Sequence, residues 1–428
     1  MRKYIYLMFE KIYNPYIRQA FNELIKSDFF STEQLLKIQE KKLKNLLNHS
    51  VLYSPFYKEK LKNINLESIN LDNINELPII TKKDLIEKNK LIQNNPFNEK
   101  LIKTETSGST GEPLIFYRNK KWDAYHRASQ FRGYYWHNIN PWDKNLYFWG
   151  FNPTFSKKIK IKIIDFLMNR YRLFSFEEQE LTKAIKFLKK SKYIEGYSSA
   201  IYELSLILDK KNIKYNNISM IKGTSEKIFD YYHEITKKVF NRKIISEYGS
   251  AEAGIIAFEC PQGNMHINME NVIVEEIDGK IIVTNLNSFV FPIIRYELGD
   301  YIEISKEKCS CGRHSYIIKE IRGRIGSKII GNNNIYPSLV LYYIFKNISL
   351  EKNIVLPYFG YQYKKGEIFL DVILPEEYKE KSEYIKRLIL EEAFKYFNKN
   401  DIIIKINFVE KFKRKNKKIK DFESYINE

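Results

Sequence analysis

Cysteine and long apolar runs are scarce in this chain. Only three cysteines occur among 428 residues, and two of them, Cys309 and Cys311, are separated by one residue. Three thiols cannot form a disulfide framework for a chain of this length, so a reducing cytoplasm is the compartment that fits best. The apolar start of the sequence is interrupted by Glu10 and Lys11. The run that remains is too short for a signal peptide or a membrane span.

Acidic residues are outnumbered by basic ones. The chain has 71 Lys and Arg against 52 Asp and Glu, a formal net charge of +19. Such an excess fits nucleic acid, an anionic membrane surface or polyanionic small substrates. No recognisable nucleic-acid-binding motif occurs, and most lysines are scattered through helical stretches where they solvate a surface. We therefore expect no nucleic-acid partner.

The first residues carry aromatic side chains at helical spacing. Tyr4, Tyr6, Phe9 and Tyr13 can share one helix face. Docking of this face on the protein's own core is the favoured interpretation, and peripheral contact with a membrane surface is the alternative. The sequence does not determine an oligomeric state.

The order of apolar patterns predicts an α/β protein with two domains. Hydrophobic residues make up 44% of the chain, enough for a sizeable core. Residues 1–100 have helical periodicity, and residues 101–300 alternate short β-rich runs with helical stretches, which indicates parallel strand pairing. After residue 255 the pattern favours an antiparallel β-rich subdomain. Gly, Ser and Asn concentrate near 324–334, so we expect a large domain over 1–325 and a small α+β lid domain over 326–428.

One loop, TETSGSTGEP at 104–113, is unlike the rest of the sequence. Gly108 and Gly111 allow sharp turns and close backbone approach, while neighbouring hydroxyls add donors, a combination that suits phosphate oxygens. The GK[ST] ending of nucleoside-triphosphatase loops is absent, which disfavours a kinase or GTPase. By itself such a loop is also an ordinary linker or hairpin.

Three later stretches occur with this loop: ISEYGSAEAG (245–254), FPIIRYELGD (291–300) and RGRIGSKIIGNNNIYP (322–337). In this order, the four motifs resemble the adenylate-forming ligase superfamily. Within it the chain is similar to phenylacetate–CoA ligase-like proteins, especially the capsular polysaccharide biosynthesis and coenzyme F390 synthetase-like branches. NHSVLYSPFYKEKL and LPIITKKDL near the start also look like that branch. The resemblance covers nearly the whole chain.

The resemblance implies roles for individual residues in binding ATP and Mg²⁺. Glu252 would bind Mg²⁺, Asp300 would accept hydrogen bonds from the ribose with Arg324 nearby, and Tyr248 with Gly249 would line the adenine and α-phosphate region. Ser225 and Glu226 match the segment that flanks adenine. The loop that would hold the β- and γ-phosphates comprises Thr106, Ser107, Gly108, Ser109, Thr110 and Gly111.

Each of these residues has an ordinary structural alternative. Glu252 also suits the first turn of a helix, Asp300 suits a β-turn, and Arg324 suits a surface; as a set, the functional interpretation is favoured. Two positions depart from the family pattern. Ala251 stands where a hydroxyl residue is usual, so one hydrogen bond to the α-phosphate would be missing, and Gly326 with Ser327 replaces the usual acidic residues. Neither departure removes the metal or ribose ligand.

The resemblance also assigns a catalytic lysine to the small domain. In RKNKKIK (414–420), Lys418 takes the place of the lysine that reaches the α-phosphate, and Lys417 stands where the family has glycine. The alternative is a solvated basic tail, which we accept for Lys415, Lys417 and Lys420.

The cysteines and one histidine form a second candidate site. Cys260, His266, Cys309 and Cys311 make up a Cys₃His set, a recurrent donor set of structural zinc. The C-x-C spacing is tighter than the usual C-x₂-C, so zinc and three idle thiols remain alternatives. His314 is a spare histidine beside this set. Zinc ligands of this kind also occur in some members of the family that the chain resembles.

The activity that the resemblance implies is activation of a small-molecule carboxylic acid as an acyl-adenylate. The acyl group would then pass to coenzyme A, an amine or a hydroxyl, with a link to surface polysaccharide. Aromatic residues at 124–143 and the segment 196–200 are candidates for the acid pocket. Two alternatives stay open: adenylyl transfer to a non-carboxylate hydroxyl, and a scaffold with a decayed site.

Overall fold

The computed structural model describes residues 2–106, 114–148, 155–173, 178–224, 228, 230–324, 328–352, 354, 356–410 and 422–426. Its contacts divide the chain into two compact units, and the boundary follows Gly323. No described helix is both long enough and apolar enough to cross a lipid bilayer.

The first hundred residues are mainly helical, as predicted. The helices are α1 (Arg2–Tyr13), α2 (Tyr16–Lys26), α3 (Thr32–Tyr53), α4 (Pro55–Lys60), α5 (Lys82–Glu87) and α6 (Asn89–Ile92), with a 3₁₀ turn at Ile74–Glu76. Two of them begin at capping boxes: Ser31 with Gln34, and Thr81 with Asp84. In each, the cap side chain accepts a hydrogen bond from the third helical N–H, which would otherwise lack a partner at a helix start.

The remaining elements of the large unit alternate and then become strands alone. In chain order they are β1 (Ile102–Glu105), β2 (Ile115–Arg118), α7 (Lys120–Trp136), β3 (Asn145–Phe148), α8 (Phe155–Leu167), β4 (Arg170–Arg172), α9 (Glu178–Leu188), β5 (Tyr193–Tyr197), α10 (Ser198–Lys210), β6 (Met220–Thr224), α11 (Asp230–Phe240), β7 (Ile244–Ser250), β8 (Gly254–Glu259), β9 (Met265–Ile267), β10 (Val272–Ile277), β11 (Lys280–Asn285), β12 (Tyr296–Ser305) and β13 (Ile317–Arg324).

Within the described residues, one eleven-stranded sheet organises the large unit, in the order β10-β11-β12-β13-β9-β8-β7-β6-β5-β3-β4. Strands β3 to β7 pair in parallel, as their alternation with helices predicts. Strands β8 and β9 continue from β7 antiparallel. The β-rich stretch is therefore antiparallel as predicted, but it extends the same sheet. The mixed α/β fold class is confirmed.

The N-terminal helical region is joined to β12 by backbone and side-chain hydrogen bonds. Ile80 N–H donates to the carbonyl of Arg295 (2.9 Å), and Glu297 N–H donates to the carbonyl of Ile80 (2.9 Å). Arg295 is buried, adopts a positive φ of 45° and donates through Nη1 to the carbonyl of Asn75 (3.0 Å). Two segments far apart in sequence are thus held at one strand.

The small unit is an α+β domain. Its elements are β14 (Lys328–Ile330), β15 (Ile335–Pro337), α12 (Leu339–Lys352), β16 (Tyr358–Lys364), β17 (Glu367–Val372), α13 (Ser382–Ala393), β18 (Ile403–Phe408) and β19 (Phe422–Ser424), with a 3₁₀ turn at Glu376–Lys381. Four of the described strands form a sheet in the order β18-β17-β16-β19. Apolar side chains from α12, α13 and this sheet make a separate core.

Candidate active site

The predicted phosphate loop starts and ends at the β1–β2 hairpin. Thr106 N–H donates to the carbonyl of Leu114 (3.0 Å), and Leu114 N–H donates back to Thr106 Oγ1 (3.0 Å). Leu114 is buried, so the base of the loop is anchored in the core. Ser107, Gly108, Ser109, Thr110 and Gly111 lie outside the described residues.

Two predicted nucleotide-binding residues meet across the sheet. Tyr248, near the end of β7, donates its hydroxyl to Asp300 Oδ2 in β12 at 2.7 Å. Both side chains are half-buried, which leaves part of each facing solvent. This hydrogen bond holds Tyr248 and Asp300 next to each other although they are 52 positions apart in the sequence.

The turn after β7 carries Glu252, the predicted magnesium ligand, which is 3% exposed. Its Oε1 accepts a hydrogen bond from the hydroxyl of Tyr296 (3.3 Å), and its backbone carbonyl accepts one from Asn285 Nδ2 (2.9 Å). Gly249 allows the close turn, since a Cβ there would lie 2.3 Å from the carbonyl oxygen of Gly254. The carboxylate is a hard oxygen donor already held in one orientation, which suits Mg²⁺.

The structure does not describe the side chains of the other residues predicted for the site. Arg324 is the last residue of β13. Ser225, Glu226 and Lys418 lie outside the described residues.

Two residues of the site were missed by sequence reasoning. Tyr296 was treated only as part of a motif ending in Asp300, although residues 296 and 300 lie on the same face of a strand with period two. Asn285 is the last residue of β11, and the apolar pattern of that strand indicated only a core strand and no role for the amide side chain. The alternation of side chains along FPIIRYELGD could have indicated that Tyr296 lies on the same strand face as Asp300.

A row of buried amides connects helix α7 to the Glu252 turn. Asn271 Nδ2 donates to Ser129 Oγ (2.8 Å), and Asn287 Nδ2 donates to Asn271 Oδ1 (3.0 Å). Asn287 N–H then donates to Oδ1 of Asn285 (3.0 Å), which holds the Glu252 carbonyl. Buried and satisfied networks of this kind fix one arrangement of the chain.

A small cavity of about 10 Å³ lies beside this row, large enough for about one water molecule. The indole Nε1 of Trp122 and Nδ1 of His126 are both buried there and have no hydrogen-bond partner among the described residues. Burial, together with the charge of Arg118, lowers the pKa of His126 to about 3, so its ring is neutral near pH 7. The cavity therefore offers one donor and one neutral imidazole next to the Glu252 turn.

A buried ionic group lies under the ends of β5, β6 and β7. Lys222, 2% exposed, contacts Glu247 (3.0 Å) and Glu195 (3.3 Å). Burial by itself would lower the pKa of Lys222, but the two carboxylate charges outweigh it and raise that pKa. Glu247 directly precedes Tyr248, so this pairing fixes the strand end that presents the tyrosine.

The four predicted metal ligands come together in the large unit. One donor atom from each of Cys260, His266, Cys309 and Cys311 lies within 4.8 Å of the others. Cys260 Sγ is 3.8 Å from Cys309 Sγ, and Cys311 Sγ is 3.3 Å from His266 Nε2. Zn–S bonds of about 2.3 Å in a tetrahedron place sulfur atoms about 3.8 Å apart. The donor set and its spacing fit a zinc ion.

Neighbouring groups support this cluster. His266 Nδ1 is 3.0 Å from Ser315 Oγ, a contact that fixes the ring as outer partners of metal-bound histidines do. Burial would raise the pKa of the Cys309 thiol, but hydrogen bonds from the Cys311 N–H and Asn264 lower it below its usual value. His314 is not part of the cluster, and its carbonyl accepts a hydrogen bond from Thr32.

Comparison with known proteins gives one relative in sequence and several in structure. Protein CapK of Staphylococcus aureus is 29% identical over 320 residues, which is 70% of this chain and 68% of CapK. No protein-family model matches the chain.

Among solved structures, a 2-hydroxyisobutyryl-CoA ligase in complex with 2-HIB-AMP and CoA superposes with a TM-score of 0.64 at 15% identity, covering 93% of this chain and 91% of the ligase. An open conformation of the same ligase superposes with a TM-score of 0.57 at 14% identity, covering 92% and 93%. The resemblance predicted from the four motifs is therefore confirmed: this chain is similar to CapK in sequence and has the fold of the adenylate-forming CoA ligases.

Proposed function

We propose that this protein activates a carboxylic acid with ATP. A carboxylate oxygen of the acid forms a bond to the α-phosphorus, and the bond from that phosphorus to the oxygen bridging the β-phosphorus breaks. Pyrophosphate leaves with the electron pair, and an acyl-adenylate remains. The observation that carries the proposal is the 2.7 Å hydrogen bond between Tyr248 and Asp300, which joins two nucleotide-binding candidates from separate strands.

The nucleotide is bound mainly by prearranged groups in this proposal. Asp300 accepts the ribose hydroxyls, and Tyr248 lines the base and α-phosphate region while holding the Asp300 carboxylate in place. Because both are oriented before the nucleotide arrives, little free energy is spent on ordering them. Thr106 closes the hairpin from which the hydroxyl-rich loop extends.

Glu252 would hold Mg²⁺ beside the phosphates. Its carbonyl and one carboxylate oxygen are already fixed by Asn285 and Tyr296, so the residue present fits the ion. Mg²⁺ supplies charge neutralisation on phosphate oxygens when it is bound. The chain's own contribution is to orient the carboxylate in a buried turn.

The acid pocket is assigned to the region around helix α7 and the start of α10. Helix α7 carries Tyr125, His126 and Ser129 beside the Glu252 turn. The acceptor of the acyl group is coenzyme A or an amine or hydroxyl. The solved ligase in complex with CoA supports this through its fold alone, and the motif resemblance to the capsular polysaccharide biosynthesis branch supports a role in surface polysaccharide synthesis.

We further propose that the Cys₃His cluster binds one structural zinc ion. All four ligands belong to the large unit, in the turns that follow β8 and precede β13 and in β9. No ligand position is left for a substrate, which is the arrangement of structural rather than catalytic zinc.

The proposal is tested by measuring pyrophosphate release across a panel of carboxylic acids, with and without coenzyme A. We expect release that depends on the acid, and an acyl product that hydroxylamine traps. Pyrophosphate release without a trappable acyl group would instead show adenylyl transfer to another acceptor. Failure to bind ATP with Mg²⁺ in calorimetry would show a non-catalytic scaffold.

Glu252→Gln is the decisive variant in this assay. The neutral amide holds Mg²⁺ poorly, so we expect pyrophosphate release to fall at least ~100-fold, the scale of losing one key electrostatic contact. Glu297→Gln on β12 is the matched control, because this carboxylate pairs with Lys280 at the surface. Near-normal turnover of Glu252→Gln with metal bound would reject the assignment.

A further inference from the structure

The outward face of helix α1 is apolar although it faces solvent. Tyr4, Met8 and Ile12 recur every four residues and are 74%, 63% and 75% exposed. Residues at this spacing lie above one another on a single helix face. The opposite face is packed, since Tyr6 is 3% exposed and contacts Phe131 in the core. The orientation of the helix is therefore fixed, and its apolar stripe points outward.

Helix α8 lies next to α1 and also exposes apolar side chains. Ile163 and Phe166 are 57% and 58% exposed. Arg2 joins the two helices, because its Nη1 donates to the carbonyl of Phe166 (3.2 Å) and its guanidinium lies 4.4 Å from the Phe166 ring centre. We call the surface formed by Tyr4, Met8, Ile12, Ile163 and Phe166 the α1–α8 face.

Among their described residues, helices α1 and α8 expose basic side chains and no acidic ones. Each helix contains a single acidic residue, Glu10 in α1 and Asp165 in α8, and both are buried in ion pairs. Glu10 pairs with Arg18 (2.8 Å), and Asp165 pairs with Arg172 (2.9 Å). The exposed charged side chains on the two helices are therefore basic: Arg2, Lys3, Lys11 and Lys162.

We propose that the α1–α8 face binds the surface of an anionic lipid bilayer. Exposed apolar side chains, with the exposed basic residues of the same two helices beside them, match the two layers of such a surface: acyl chains beneath and anionic headgroups above. The net charge of +19 adds long-range attraction to the same surface. Five apolar side chains are a small anchor, so the binding is reversible and weakens as salt screens the charges.

The test is co-sedimentation of the full chain with vesicles of phosphatidylcholine alone or mixed with phosphatidylglycerol. We expect binding to the mixed vesicles, little binding to pure phosphatidylcholine, and release at high salt. The double variant Met8→Glu with Ile12→Glu should bind the mixed vesicles at least ~10-fold more weakly, because it places two like charges against the headgroups.

Two control variants distinguish a loss of binding through the α1–α8 face from a general effect of changed charge or disturbed folding. Leu52→Glu with Phe97→Glu makes the same charge change at residues that are each 69% exposed elsewhere, and it should bind nearly as the wild type does. Lys11→Gln with Lys162→Gln should weaken binding to the mixed vesicles while the melting temperature stays unchanged.

Three results would overturn the proposal. They are equal binding by Met8→Glu/Ile12→Glu and wild type, equal binding to neutral and anionic vesicles, and a wild-type dimer that this double variant converts to a monomer. The last result would assign the face to a second copy of the chain. None of these measurements requires ATP or an acid, so they stand apart from the proposed activity.

Discussion

At the scale of single residues, the hydrogen bond between Tyr248 and Asp300 decides how the nucleotide would be held. A tyrosine hydroxyl that donates to a charged carboxylate contributes about 1.5–3 kcal/mol, which is roughly tenfold or more in an equilibrium constant. The contact joins β7 to β12, so it also fixes the distance between the base and ribose ends of the candidate site.

Tyr248→Phe should therefore raise the KM for ATP about tenfold with a smaller change in kcat, because Asp300 loses a donor and becomes less well oriented. Steady-state pyrophosphate release at varied ATP measures both constants. Tyr301→Phe, the same change beside Asp300, is the control and should leave KM unchanged. Equal KM values for all three proteins would show that the hydroxyl has no part in binding.

The sequence could name Tyr248, Glu252 and Asp300 because each stands in a motif with a recognisable order. It could not name Tyr296 or Asn285 as partners of Glu252, because each touches the turn only through long-range pairing. Asn285 is 33 positions from Glu252 and Tyr296 is 44. Contacts of this range depend on strand order, which periodicity does not contain.

At the scale of helices and strands, local patterns predicted the elements and not their neighbours. A few adjacent residues determine the capping boxes at Ser31 and Thr81 and the turn at Asp278 and Gly279; both turn residues adopt positive φ, 51° and 75°. The pairing of β8 with β7 could not be predicted, because the apolar pattern of a strand does not indicate which neighbouring strand it will pair with. For that reason the sequence predicted a β-rich subdomain within the large domain and not the continuation of one sheet.

The zinc proposal belongs to the same scale, because the ion would connect the turn after β8 and strand β9 to the turn before β13. Purified protein should contain one zinc per chain, measured by elemental mass spectrometry on a preparation without a histidine tag. His266→Ala should lose the ion and lower the melting temperature by at least ~5 °C, since a ligand that binds only the folded state stabilises it.

His314→Ala is the matched control, since this histidine lies next to the cluster without joining it. It should retain zinc and melt as the wild type does. The zinc proposal would be contradicted if the wild-type protein contained no zinc, or if both histidine variants lost zinc equally.

At the scale of the whole molecule, the chain divides into two units at Gly323, close to the Gly- and Asn-rich stretch in the sequence. The small unit has its own core. Composition shifts reveal such a boundary because a segment between two cores is not constrained by packing in either. We propose that the small unit takes part in the reaction through Lys418.

Lys418→Ala should reduce adenylate formation by about 100-fold or more, because it removes the compact charge proposed to meet the α-phosphate. Acyl transfer from a pre-made adenylate should survive, since the lid would by then have rotated away. Both half-reactions are measured separately in single-turnover assays. Lys417→Ala and Lys420→Ala are the controls, and an equal loss in all three variants would show a general basic tail.

The bridge between Ile80 and β12 has a consequence for how the protein is made. About 215 residues separate Ile80 from its partner Arg295. At roughly 5–20 residues per second, a ribosome needs about 10–45 s to synthesise that distance. During this interval the N-terminal helices have no β12 to pack against, and their buried face, which includes Leu43, Leu46 and Leu47, has not yet been covered. The early part of the nascent chain is thus a natural client for chaperones until the strand that carries Asp300 emerges.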